Sequence, residues 1–220
     1  MRCVVFDLDG TLADTSGDLI AAANFCFRDL GHGDLLDPTL DAATALRGAR
    51  AMLRLGFERL GLDDAEEQID AQYPTLIDAY GDNIDTHTVL YPGVREAVDR
   101  LKALDMKVAI CTNKPEGLAE TLMARLEFRD VFDALIGADT LPVRKPDPAP
   151  LFEAIDRSGG ARTSAVLIGD TATDRNTARA AGIPSVLVTF GPGEEDVSDL
   201  EPEALLHHYD ELDSVIEAVI

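Results

Sequence analysis

Two aspartates one residue apart, Asp7 and Asp9, close an apolar run at residues 4–6 and are followed at once by Gly10 and Thr11. While the backbone stays extended, side chains two residues apart project from the same side of a strand, so both carboxylates face one way. Gly10 then permits a sharp turn or a close approach to a ligand. A second acidic set, Gly169-Asp170-Thr171 with Asp174, follows the apolar run 166–168, and Thr112-Asn113-Lys114 follows the run 106–111. Lys145 stands in the loop beyond the run 134–136. Carboxylates gathered as Asp7, Asp9 and Asp170 repel one another unless a hard cation or shared protons relieve them, and oxygen-only ligation suits Mg²⁺. A threonine and a lysine beside that cation suit a phosphoryl group, neutralised by metal on one side and by Lys145 on the other. Phosphoryl transfer is the chemistry these residue types predict.

Five short apolar runs, at 4–6, 106–111, 134–136, 166–168 and 186–188, must carry these groups. Their near-continuous hydrophobicity predicts strands covered on both faces, as in a parallel sheet. Helical patterns at 93–104, 116–126, 149–158 and 172–181 alternate with them, which predicts an α/β fold with a doubly wound parallel sheet. In such sheets ligands bind beyond the carboxyl ends of the strands, the edge on which all four polar clusters fall. Residues 15–85 break this rhythm. Apolar residues there recur at helical spacing, as in Ala49, Met52, Leu53, Phe57 and Leu60, and again in Ile69, Tyr73, Leu76, Ile77 and Tyr80. The expected organisation is a core domain of residues 1–14 and 86–220 with an all-helical domain, 15–85, inserted in it. Pro74 interrupts the second stripe and predicts a kink or break just before it. Tyr91-Pro92-Gly93 predicts the turn back into the core.

The 220 residues carry a net charge of −22, from 19 basic and 41 acidic side chains spread along the chain. That balance disfavours nucleic acid and anionic membrane surfaces as partners, and demands local cations wherever an anionic substrate binds. Cys3, Cys26 and Cys111 lack metal-ligand spacing and lie in or beside apolar runs, which predicts buried, inert thiols in a reducing cytosol. An N-terminal apolar stretch too short for a signal peptide, and no run of about 18 apolar residues, predict a soluble cytoplasmic protein. His32, His87, His207 and His208 read as surface or linker residues. Asp14, Thr15, Ser16 and Asp18 read as caps of the first inserted helix. Lys102 and Lys107 read as solvated, and Lys114 as an anion guide or a surface lysine starting a helix. Phe190-Gly191-Pro192-Gly193 reads as a plain exit loop, with the rim of the site as the alternative.

Asp7-Leu8-Asp9-Gly10-Thr11 resembles the first motif of the haloacid dehalogenase-like superfamily. Thr112 resembles its second motif, Lys145 its third, and Gly169-Asp170 with Asp174 its fourth, while the helical insert resembles its four-helix type of cap. The resemblance implies that Asp7 is a nucleophile that becomes an aspartyl phosphate. Asp9 is then the acid that protonates the leaving alcohol and the base that activates water. Mg²⁺ is implied on Asp7, Asp170 and the Asp9 carbonyl, with Asp174 in support, and the phosphate on Thr112, the Asn113 backbone and Lys145. Members that attack carbon do not show the Asp-x-Asp pattern, so a dehalogenase is not expected. The stretches DGTLADTSGD, YPGV, KPDPAPLFEA and GDTATDRNTARAAGIP look like the phosphoglycolate phosphatase branch, which implies 2-phosphoglycolate as the small anionic ester. Specificity is implied to lie in the cap around a glycine. Gly48 is that candidate, with Arg47 or Arg50 to meet a carboxylate, against the alternative that both arginines are simply solvated. No lysine lies between Met1 and Leu101, so a cap Schiff base is not expected. Other readings are a sister phosphatase, a sugar-phosphate mutase, a phospho-aspartate signalling receiver, or a catalytically silent binding protein. A monomer or a homodimer is expected.

Overall fold

The computed structural model describes residues 1–191, 193 and 196–220. Along the chain run β1 (Cys3–Phe6), β2 (Ala13–Asp14), α1 (Ser16–Asp29), α2 (Ala42–Ala45), α3 (Ala49–Arg59), α4 (Glu66–Asp82), β3 (Val89–Leu90) and α5 (Val94–Ala103). There follow β4 (Lys107–Cys111), α6 (Glu116–Arg125), β5 (Ala134–Ile136), α7 (Ala149–Ser158), β6 (Ala165–Gly169), α8 (Ala172–Ala181), β7 (Ser185–Val188), β8 (Ala204–Leu206) and α9 (Leu212–Val219). Two compact units result, Met1–Ala13 with Leu90–Ile220, and Asp14–Val89.

In the first unit six strands form one sheet in the order β5-β4-β1-β6-β7-β8, with every pairing parallel. The order reverses at β1, whose neighbours are β4 on one side and β6 on the other, so the carboxyl ends of these three strands frame the crevice where ligands bind in such sheets. Period-2 alternation fills the core. Cys3 and Val5 of β1, Ala109 and Cys111 of β4 and Leu167 of β6 share a cluster with Leu151, Ala154 and Ile155 of α7 and Ala178 of α8. The intervening Val4 and Phe6 are equally buried, and Phe6 meets Phe132 edge to face at 6.2 Å. Strands buried on both faces have no polar alternation, which is why they read as plain apolar runs.

The sheet has one strand more than the sequence predicts. β8 adds to β7 through Ala204, Leu205 and Leu206, and it is held there by Arg175 of α8. That guanidinium is buried and donates to Glu203 at 2.8 Å, to Ser185 Oγ at 3.1 Å and to the carbonyls of Leu200 and Glu201. A three-residue apolar run flanked by acids and histidines gives too little periodicity to be recognised as a strand.

The second unit packs α1 against α3 and α4, and α3 against α4. Met52, Leu53 and Phe57 of one stripe and Ile69, Leu76 and Tyr80 of the other are buried, and Phe27 meets Phe57 edge to face at 5.3 Å. Of the kink or break expected at Pro74, the break does not occur: α4 runs on through the proline. Burial of Ile69 before the proline and of Leu76 and Tyr80 after it anchors both halves, which offsets the lost backbone bond. Asp18 is not a cap either. It is buried, and its carboxylate accepts from the backbone of His87 at 2.9 Å and from the backbone and hydroxyl of Thr88 at 2.9 and 2.8 Å. Thr15 makes no side-chain cap on α1, while Asp14 accepts from Ser16 N–H at 3.0 Å.

Candidate active site

The loop after β1 is folded tightly on itself. The N–H groups of Thr11, Leu12 and Ala13 all donate to the Leu8 carbonyl, and that of Gly10 donates to the Ala13 carbonyl at 2.9 Å. Gly10 makes this turn at φ 79°, in the left-handed region that glycine enters without strain. The turn presents Asp7 and Asp9 at the carboxyl end of the central strand.

Asp7 Oδ1 accepts from Leu8 N–H at 2.7 Å and lies 3.0 Å from Lys145 Nζ. The same ammonium donates to Asp174 Oδ1 at 2.6 Å. Asp174 is positioned by its own helix: as the third residue of α8 it forms a reciprocal capping box with Thr171, whose hydroxyl donates to Oδ2 at 2.8 Å. Gly169 makes room for this, because a Cβ there would lie 2.4 Å from Asp174 Cβ and Cγ. Asp170 Oδ1 accepts from Thr11 Oγ1 at 3.1 Å. One carboxylate oxygen from each of Asp7, Asp170 and Asp174 falls within 4.8 Å of the others.

Thr112 is buried just beyond β4 and accepts from Lys114 N–H at 3.1 Å. Asn113 uses its side chain to donate to the Lys145 carbonyl at 3.1 Å, so it steadies the loop that carries the lysine. Of the two sequence readings of Lys114, a surface lysine starting a helix and a cation beside the site, the structure overturns the first. It is 6% exposed, and its Nζ donates to Asp9 Oδ1 at 2.7 Å and Oδ2 at 3.0 Å. Arg47, Gly48 and Arg50 lie in the helical unit. Gly48 precedes α3 at φ 88°, and both arginines are at least partly exposed. Arg50 is engaged with Asp70 at 2.7 Å and Glu66 at 3.1 Å.

One supporting residue had no clear signal in the sequence. Tyr209, buried in the C-terminal segment, donates its hydroxyl to the Thr11 carbonyl at 2.8 Å. Its ring meets that of Phe190 at a tilt, 5.5 Å between centroids, and Phe190 meets Tyr91 at 5.0 Å. Gly191 takes the rim position, the alternative to a plain exit loop, since a Cβ there would lie 3.2 Å from the Gly10 carbonyl and 3.7 Å from Asp170. Pro192 of the same stretch lies outside the described residues.

Electrostatics set the demand of this site. Burial, with the Asp174 and Asp9 charges, raises the Asp7 carboxyl to about 6 despite the opposing pull of Lys145 and the Leu8 N–H. Burial and the carboxylates of Asp174 and Asp7 raise Asp170 well above the ordinary range. Burial alone would depress Lys145, but Asp174 and Asp7 outweigh it and the ammonium is held charged. Burial pushes the neighbouring Cys111 thiol up to about 12, so it has no nucleophilic part. Since Asp9 is matched by Lys114, the three clustered carboxylates of Asp7, Asp170 and Asp174 are left with the Lys145 ammonium, which pairs with Asp7 and Asp174 and acts on Asp170 through its charge. A divalent cation on oxygen ligands fits that deficit.

A profile of the haloacid dehalogenase-like hydrolases matches residues 4–188. The chain belongs to that family. Among curated relatives, phosphoglycolate phosphatase of Caulobacter vibrioides is 38% identical over 94% of this chain and 86% of its own. That of Mesorhizobium japonicum is 40% identical over 95% of this chain and 92% of its own. A crystal structure of a predicted phosphoglycolate phosphatase from Haemophilus somnus shares the fold at a TM-score of 0.87, covering 98% of this chain and 97% of that one at 23% identity. For a haloacid dehalogenase-like hydrolase, the paired aspartates, the buried lysine and the second acidic pair are all present in one crevice. No helix among the described residues is long and apolar enough to cross a membrane.

Proposed function

We propose that this hydrolase is a Mg²⁺-dependent phosphatase of small phosphate monoesters, with 2-phosphoglycolate its first substrate. The observation that carries the reading is the clustered set Asp7, Lys145, Asp170 and Asp174, short of positive charge, beside a separately paired Asp9. The relatives named phosphoglycolate phosphatase support the choice of ester. Asp7, Asp170 and the Asp9 carbonyl would hold the metal with Asp174 behind them, and a bound Mg²⁺ would neutralise the phosphoryl oxygens as a Lewis acid.

Leu8 and Lys145 both hold Asp7 Oδ1, so Oδ2 is the oxygen assigned to attack. It forms a bond to phosphorus as the bond from phosphorus to the alcohol oxygen breaks, and Asp9 delivers its proton to that oxygen. Water then attacks the phosphorus, Asp9 takes the water's proton, the bond to Asp7 breaks, and phosphate departs. Thr112, the Asn113 backbone and Lys145 orient the phosphoryl oxygens throughout. Arg47 and Arg50 remain candidates for reading the rest of the substrate, and Arg50 would have to leave Asp70 and Glu66 to do so.

Asp7→Asn removes the nucleophile while keeping the side-chain shape, so turnover of 2-phosphoglycolate falls by at least about 1,000-fold with an unchanged fold by circular dichroism. EDTA abolishes wild-type turnover and added Mg²⁺ restores it. Retained activity in Asp7→Asn, or a rate indifferent to EDTA, would remove this reading.

A further inference from the structure

Lys114 takes no part in the steps above, yet its side chain is 3% exposed and lies against Asp9. A buried ammonium is costly unless it is paired, so this position is a built one. Its backbone is pinned on both sides: the N–H donates to Thr112 Oγ1 at 3.1 Å, and the carbonyl accepts from Ala138 N–H at 2.9 Å. The two aspartates of the first motif therefore have one buried lysine each, Lys145 at 3.0 Å from Asp7 and Lys114 at 2.7 Å from Asp9.

These two positions correspond to two ends of a substrate. Phosphorus sits at Asp7, and the alcohol oxygen sits at Asp9, which exchanges a proton with it. In an ester whose alcohol carbon bears a carboxylate, that carboxylate is attached one carbon from the oxygen Asp9 serves. This short tether keeps it within hydrogen-bonding reach of a cation already bonded to Asp9. A neutral alcohol offers Lys114 no such second anion, and a carboxylate one methylene further on is held there less closely. The Arg50 guanidinium, by contrast, is exposed and paired with Asp70 and Glu66.

Resting on the phosphatase reading, we propose that Lys114 is a specificity residue that binds the carboxylate of 2-phosphooxy acids, of which 2-phosphoglycolate is the smallest. It shares its ammonium between Asp9 and the substrate, and so selects esters in which the carboxylate and the leaving oxygen are borne on the same carbon.

The test compares 2-phosphoglycolate, ethyl phosphate and 3-phosphooxypropionate on the full-length protein with Mg²⁺. In the wild type, kcat/KM for 2-phosphoglycolate exceeds that for each of the other two by at least about tenfold, the value of one charge-assisted hydrogen bond. Lys114→Met lowers kcat/KM for 2-phosphoglycolate by about 10- to 100-fold and shrinks the preference by about tenfold or more. Lys114→Arg keeps the charge and part of the preference. A wild type that handles all three esters equally overturns the proposal without any variant, so a misfolded Lys114→Met does not shield it. Proportional loss on all three esters in Lys114→Met also overturns it, because Lys114 would then act only through Asp9. Absence of turnover on every ester by the wild type would instead overturn the phosphatase reading, and the Lys114 assignment with it.

Discussion

Three carboxylates held within 4.8 Å of one another in a buried crevice make the metal-free protein carry a local strain of charge. Asp170 is where that strain can be relieved with least disturbance, because an asparagine in its place would keep an oxygen to accept from Thr11. In EDTA, Asp170→Asn therefore melts above the wild type. Mg²⁺ reverses the order: ligand binding to the folded state adds about 2.7 kcal/mol at a hundredfold excess over Kd, and the variant, lacking one ligand, gains much less. Thermal melts with and without Mg²⁺ check both halves, and an equal Mg²⁺ gain in the two proteins would remove Asp170 as a ligand. At this scale the sequence is legible where backbone geometry dictates side-chain direction, as for Asp7 and Asp9 two apart on a strand. It is silent where a long side chain chooses between solvent and crevice. Nothing local in Thr112-Asn113-Lys114 tells that the lysine turns inward, since its partner lies 105 residues away beyond another strand.

Strands and helices were legible wherever burial leaves a period. The cores of β1, β4, β5, β6 and β7 and the spans of α7 and α8 stand out in the sequence as apolar runs or stripes. What escaped are elements whose stability is tertiary. β8 depends on Arg175 and Glu203 more than on its own three residues, and Tyr209 acquires its place by bonding to the Thr11 carbonyl. Asp133 shows such tertiary tying at the start of β5. It accepts from Lys102 at 2.9 Å at the end of α5, and from Lys107 Nζ and Val108 N–H at 3.0 Å at the start of β4. Burial would raise this carboxyl, but Lys102, the Val108 N–H and Lys107 together hold it below the ordinary range. A depressed folded value stabilises the protein above the unfolded pKa of about 3.9 and loses that contribution as pH falls through the folded value. Asp133→Asn accordingly costs about 1–3 kcal/mol at neutral pH, and the cost shrinks below about pH 4. Urea unfolding across pH measures it, and a cost that grows on acidification contradicts the clamp.

For the whole molecule, charge was fully legible in the sequence and its distribution was not. Forty-one acidic against 19 basic side chains leave 22 negative charges without a basic counterpart. Surface pairs such as Arg28–Asp34 and Arg157–Glu153 contribute about 0–1 kcal/mol each, and salt weakens them. Repulsion among the excess carboxylates works in the opposite direction, because screening it stabilises the compact state. The Debye length falls from about 30 Å at 0.01 M to about 10 Å at 0.1 M, so added salt suppresses the many long-range repulsions first. Pairs already in contact lose least. Repulsion wins by number, and the melting temperature rises by about 2–5 °C between about 20 and about 300 mM KCl. EDTA is kept in both samples so that no divalent ion fills the carboxylate crevice, and potassium chloride supplies screening alone. A melting temperature that falls with salt would mean that the surface pairs, not the excess of acid, set the electrostatic balance of the fold.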